Sequence, residues 1–175
     1  AGGAHRAGKP ARPRGPALCG RPGHGTPADL LSMTWNGASF AAPQPFVMAA
    51  GMQNHYYPAI SPDDRWVMFN RSAGESYHNI ASQLWAAPLD RTRAPVRMAA
   101  ADGEGNLGNS WPKWAPFVQT FRGQPLLWVT FSSRRDYGLR LQQQSRGVEM
   151  PTSQLWMAAF RPRATDDPSA PAFWL

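Results

Sequence analysis

Tyr57-Pro58-Ala59-Ile60-Ser61-Pro62-Asp63-Asp64-Arg65-Trp66-Val67-Met68-Phe69, leading to Gln83-Leu84-Trp85-Ala86-Ala87, is the stretch that decides the fold. Its parts return in the same order as Trp111-Pro112-Lys113-Trp114-Ala115-Pro116, Leu127-Trp128-Val129-Thr130-Phe131 and Gln154-Leu155-Trp156-Met157-Ala158-Ala159. A third copy is expected to start at Ala170-Pro171-Ala172-Phe173-Trp174 and to be cut off at Leu175. Fixed-order repetition implies stacked units, none of which buries its apolar face alone. Pro58 to Pro112 and Pro62 to Pro116 are each 54 residues apart, so the opening segment is copied without gaps. Phe69 to Phe131 is 62 and Trp85 to Trp156 is 71, which places insertions after Pro116 and between Ser132 and Gln154. Both are expected to be surface loops.

Each unit reads as short β-strands. Trp66-Val67-Met68-Phe69 and Leu126 to Phe131 are aromatic and β-branched runs too short for helices. Ser61-Pro62-Asp63-Asp64 is a turn joining antiparallel strands, because proline presets φ and aspartate tolerates tight backbone geometry. Gln83 to Ala87 and Gln154 to Phe160 supply the next strand of each unit, and Pro88 and Pro162 end them by withholding a ladder donor. Trp66, Trp85, Trp114, Trp128, Trp156 and Trp174 fall on these motif positions and are expected in the core.

The string Pro-Ala-Ile-Ser-Pro-Asp-Asp-Arg-Trp-Val-Met-Phe, then Gln-Leu-Trp, resembles the Pro-x-aromatic-Ser-Pro-Asp-Gly repeat of TolB-like β-propellers. The resemblance covers about Tyr56 to Leu175 and departs at Asp64, where the family has glycine, and at Phe117, where Asp-Gly is absent. It implies an all-β fold: a partial β-propeller of antiparallel four-stranded blades, spanning residues 31–175, with repeats starting near 57, 111 and 170. Two blades plus edges look like a fragment that requires the missing blades of the same protein for closure.

Residues 1–30 read as a disordered basic arm rich in Gly, Pro and Arg, with no acid before Asp29. Five of the 18 Lys and Arg lie there, and the other 13 face all 11 acids, leaving +2 of the net +7 on the repeats. A nucleic-acid partner is therefore not expected. No apolar run reaches a membrane span and no signal peptide is visible. The resemblance implies a periplasmic or cell-envelope location, and one cysteine excludes an internal disulfide framework.

Catalytic patterns are missing: there is no G-x-S-x-G, H-E-x-x-H, P-loop or C-x-x-C. No cofactor or metal is expected. Asp102-Gly103-Glu104-Gly105-Asn106-Leu107-Gly108 fails as a phosphate loop, since Trp111-Pro112 follows where a helix should start. It fails as an EF-hand, since Lys113 stands at the glutamate position. Asn70-Arg71-Ser72 forms a glycosylation sequon. The function expected is non-catalytic binding of a protein partner through propeller loops, with His55, Tyr56, Tyr57, Arg134, Arg135, Asp136 and Tyr137 as candidates, since Tyr and Arg are enriched in binding hot spots. The alternative is the gating propeller of a prolyl oligopeptidase-like serine peptidase whose catalytic domain lies outside this chain.

Overall fold

The computed structural model describes residues 28–51, 53–137 and 152–175, together with backbone strands at 17–19, 142–145 and 148–151. The fold is all-β and antiparallel, as expected. Two four-stranded meanders dominate. The first consists of β4 (Gln53–Ile60), β5 (Trp66–Ala73), β6 (Gln83–Pro88) and β7 (Val96–Arg97), adjacent in chain order. Between β4 and β5 the Ser61 hydroxyl accepts the Trp66 amide at 3.0 Å and donates to the Asp63 carboxylate at 2.5 Å. Asp64 takes φ 56°, the left-handed geometry that glycine adopts more cheaply. The second sheet runs β8 (Ser110–Trp114), β10 (Gln124–Ser133), β13 (Gln154–Phe160) and β14 (Phe173–Trp174), with β9 (Gln119–Phe121) paired to the start of β10. A third sheet orders β1 (Ala17–Cys19), β2 (Leu30–Met33) and β3 (Gln44–Val47).

The first sheet is covered on both faces. Trp66, Met68, Leu84 and Ala86 pack against Leu127, Val129, Phe131, Trp156, Ala158 and Phe160 of the second sheet, with the Trp66 and Phe160 rings edge to face at 5.0 Å. On the opposite face Val67, Phe69 and Ala87 meet Leu30 and Val47 of β2 and β3. Position for position, the face that the first sheet turns to β2 and β3 (Val67, Phe69, Trp85, Ala87) matches the one the second sheet turns to the first (Val129, Phe131, Trp156, Ala158). The sheets are thus stacked head to tail. The second sheet's other face carries Trp128, Thr130, Leu155 and Met157, and no described sheet lies on it.

The sheets approach most closely where β8 lies along β4 and β5. Beside β6, the short helix α1 (Ala99–Asp102) fills the gap with Met98 and Ala101. Polar ties lock the pair. Trp114 Nε1 donates to the Ala59 carbonyl at 2.9 Å, and Arg93 donates to the Ala164 and Thr165 carbonyls at 2.9 and 3.0 Å. Asp167 Oδ2 accepts the Ala100 amide at 2.6 Å.

Several expectations need correction. Phe173-Trp174 does not open a third unit; it pairs with Trp156 and Met157 as the outer strand of the second sheet, the place β7 occupies in the first. Trp174 is accordingly an exposed edge residue and not core. The segment between Ser132 and Gln154 holds a hairpin, β11 (Gln142–Ser145) with β12 (Val148–Pro151), and the one after Pro116 holds β9. Within the basic arm, the Ala17-Leu18-Cys19 run forms β1 on β2, because it is apolar and opposes an apolar strand. The remainder of residues 1–27 lies outside the described residues.

Candidate functional site

At one level both meanders depart from regular pairing in the same way. Two residues of β4, Tyr57 and Pro58, oppose the single Phe69, and two of β8, Trp111 and Pro112, oppose the single Phe131. These are β-bulges at matched repeat positions, where proline has no amide to offer the ladder. The residue ahead of each proline is left-handed: Tyr57 at φ 51° and Trp111 at φ 54°. Bulky side chains avoid this region, and such strain persists only where surrounding contacts over-determine it. Here Asn70 does so. Its Oδ1 accepts the Trp111 amide at 3.0 Å while its Nδ2 donates to the Asn109 carbonyl at 2.8 Å and the Gln83 carbonyl at 3.1 Å.

The bulges aim two aromatic rings at each other near the sheet end that carries the β5–β6 loop. Tyr57 meets Trp111 edge to face at 5.4 Å, and Tyr77 from that loop meets Trp111 at 5.5 Å. His78 stands against Tyr77 at 5.0 Å and lies 3.3 Å from the Arg134 guanidinium through Nδ1. Trp111 remains 51 % exposed and Ile80 flanks the cluster, also exposed. Beneath it, the Ser76 hydroxyl links those of Ser82 and Ser110 at 2.9 and 3.0 Å, leaving a rigid, satisfied floor.

Of the seven candidate residues, Tyr57 and Arg134 belong to this patch, and Tyr56 adjoins it, its ring 6.0 Å from Tyr57 and its hydroxyl donating to the Gly74 carbonyl. Burial raises the Tyr56 pKa. His55, Tyr56 and Tyr57 are strand residues, not loop residues, because β4 runs from Gln53 to Ile60 and pairs with β5 on both sides of the Tyr57-Pro58 bulge. His55 is buried against Phe69, edge to face at 5.0 Å, and accepts from Arg71 Nε through Nε2 at 3.3 Å. Burial and the adjacent Arg71 lower its pKa to about 4, with Asp29 acting weakly in the other direction.

Arg135 is turned inward. Its guanidinium donates to the Ala101 and Asp102 carbonyls, the latter at 2.7 Å, closing the end of α1, and lies 4.9 Å over Trp156. Burial lowers its pKa. Asp102, which heads the acidic glycine-rich segment, is also sealed: it pairs with Arg97 at 2.8 Å and accepts the Leu84 amide at 2.8 Å. Burial raises its pKa against those bonds. Asp136 is exposed, and Tyr137 packs on Trp156 and Trp174 at 5.8 and 5.5 Å, beside the patch of neither bulge. Asn70 of the sequon is fully buried, its amide committed to two carbonyls. Sequence reading missed Tyr77, His78 and Trp111 as a group. The 54-residue match of Tyr57 to Trp111, each preceding proline, was the signal that could have added Trp111.

Among the described residues no three His, Cys, Asp or Glu side chains converge to hold a metal, and no helix is long and apolar enough to cross a membrane. Comparison with protein-family models, curated proteins and solved structures gives no match.

Proposed function

We propose that the chain is a stretch of a TolB-like β-propeller that works as a non-catalytic protein-interaction module of the bacterial cell envelope. A protein partner docks on the Tyr57, Tyr77 and Trp111 cluster with Arg134 and His78 at its rim. The observation that carries the reading is the exposed Trp111, held in a strained backbone conformation by a buried asparagine of the neighbouring sheet. Pre-ordered aromatic anchors next to an arginine are the residue types that dominate binding energy, and their rigidity lowers the entropy lost on docking. Head-to-tail stacking of two like meanders, closest at their first strands, supports the propeller part of the reading. The face of the second sheet that no described sheet covers then calls for a further sheet of the same kind, supplied by the same protein.

A photo-crosslinking amino acid placed at the exposed Ile80, beside the cluster and leaving Trp111 in place, tests the interaction. In an envelope extract it should give one discrete protein adduct that unlabelled chain suppresses and the Trp111→Ala chain does not. Adducts equal to those from a control position at Asn106 would refute the reading.

A further inference from the structure

At the opposite end of the sheets, where β9 turns into β10, a cavity of about 460 Å³ opens between that hairpin and the segment after β13. Three arginines are among the residues that line it: Arg122, Arg161 and Arg163. No acidic side chain does. Among the described residues no carboxylate lies within ion-pair distance of any of the three arginines. The remaining wall is chiefly Phe121, Leu126 and Ala164.

The arginines are placed by structure. Arg122 and Gly123 close the hairpin between the paired Phe121 and Gln124, both left-handed at φ 49° and 73°, the type I′ geometry that fits strand twist. The Arg122 guanidinium lies 5.2 Å from the Phe121 ring centre. Across the cavity Arg163 Nη1 donates to Gln124 Oε1 at 2.7 Å, and Arg161 Nη2 donates to the Ser169 carbonyl at 3.2 Å. A guanidinium carries five donors, so each keeps most of its hydrogen-bonding capacity for a ligand. Three like charges around one hollow repel one another, and an anion seated among them reverses the sign of that energy. The size is that of a small-molecule site, and its carbon wall suits a ligand with an apolar body. An adjoining hollow that shares Pro125, Arg163 and Ala164 differs: there three carboxylates, Asp63, Asp64 and Asp90, stand among three arginines, Arg65, Arg93 and the shared Arg163.

We infer that the Arg122, Arg161 and Arg163 cavity is a binding site for an amphiphilic anion, a molecule with one carboxylate or phosphate head on an apolar body. The head sits among the guanidinium groups and the body lies along Phe121 and Leu126. The site is separate from the aromatic patch and does not depend on the function proposed for it.

Calorimetric titration of the full chain with dodecanoate, dodecyl phosphate, inorganic phosphate and dodecanol, below micelle-forming concentrations, tests the inference. At least one anionic amphiphile should bind ten times tighter than dodecanol and than inorganic phosphate. A preference for dodecanoate identifies a fatty-acid-like carboxylate, and a preference for dodecyl phosphate a phosphorylated head. Arg163→Gln combined with Arg122→Asn, which tolerates the left-handed turn, should weaken binding at least tenfold. Leu155→Glu on the outer face of the second sheet should leave it unchanged. If the double variant loses its folded circular-dichroism spectrum, Arg163→Gln alone is read instead, with a threefold loss expected. Dodecanol binding as tightly as the anions, arginine variants binding like the parent, or Leu155→Glu abolishing binding would each overturn the assignment.

Discussion

Matched positions of the two four-stranded sheets carry similar side chains in opposite circumstances. Leu84 of the first sheet is fully buried, while its counterpart Leu155 in the second is 52 % exposed. Met68 and Ala86 are sealed, whereas Thr130 and Met157 stand partly open. The difference lies not in composition but in neighbours: the first sheet has β2 and β3 on one side and the second sheet on the other. A sheet whose two faces are both apolar is built to be covered twice. Stability in this chain is therefore concentrated in the first sheet and in the interface between the two.

The largest expected effect breaks that comparison directly. Leu84→Ala should lower folding stability by about 2 to 5 kcal/mol, as buried leucine truncations do, while Leu155→Ala should change it by no more than about 0.5 kcal/mol. Urea denaturation of both variants reads the contrast, and equal losses would mean that the second sheet's outer face is covered in solution.

The next effect depends on pH. Position 55 in the first sheet matches position 109 in the second, and both are buried polar residues, yet only His55 titrates. Its folded pKa of about 4 lies below the ordinary 6.5. Between these values the unfolded chain takes up a proton that the folded chain refuses, so stability falls as pH drops from 6.5 toward 4. This component amounts to on the order of 2 to 3 kcal/mol. His55→Asn, which copies the second sheet, should flatten the difference in midpoint between pH 7 and pH 4.5; an unchanged pH dependence would place the proton on another group.

Arg134 and Arg135 sharpen the contrast between patch and frame. Arg135→Ala should destabilise by about 1 to 3 kcal/mol, because it strips donors from the Ala101 and Asp102 carbonyls. Arg134→Ala should leave the thermal midpoint within 2 °C of the parent and weaken the crosslinking partner's binding instead. The smallest effect separates the two turns. Asp64→Gly relieves left-handed strain and should stabilise by about 0.5 kcal/mol once glycine's extra chain entropy is counted, measurable as a small rise in the thermal midpoint.

The central strands β5, β6, β10 and β13 were legible because short apolar runs rich in aromatic and β-branched residues, bounded by turn residues and proline, leave few other conformations. Asp64 in the left-handed region followed from the glycine that the resembling repeat places there. Other features were decided by partners distant in sequence. The Ala-Pro-Ala-Phe-Trp motif looked like a new unit, but the free edge of β13 captured it as an outer strand. Arg135 looked like a loop anchor, but the carbonyls it serves lie more than thirty residues earlier. His55 stood in the polar run Gln-Asn-His-Tyr, and only the packing of Phe69 against it shows its burial. Helix α1, four residues long, leaves no periodic trace. The aromatic patch was half legible: the repeat aligned Tyr57 with Trp111, while Tyr77 came from a loop that the repeat does not contain.

Thiol labelling at one matched pair tests the head-to-tail stack most directly. With Cys19→Ser as background, Ala86→Cys and Met157→Cys place a thiol on the same face of the first and second sheets. The stack predicts that Met157→Cys reacts roughly a hundredfold faster, the factor that about 2.7 kcal/mol of local opening imposes on the covered site. Equal labelling rates at the two positions would contradict it.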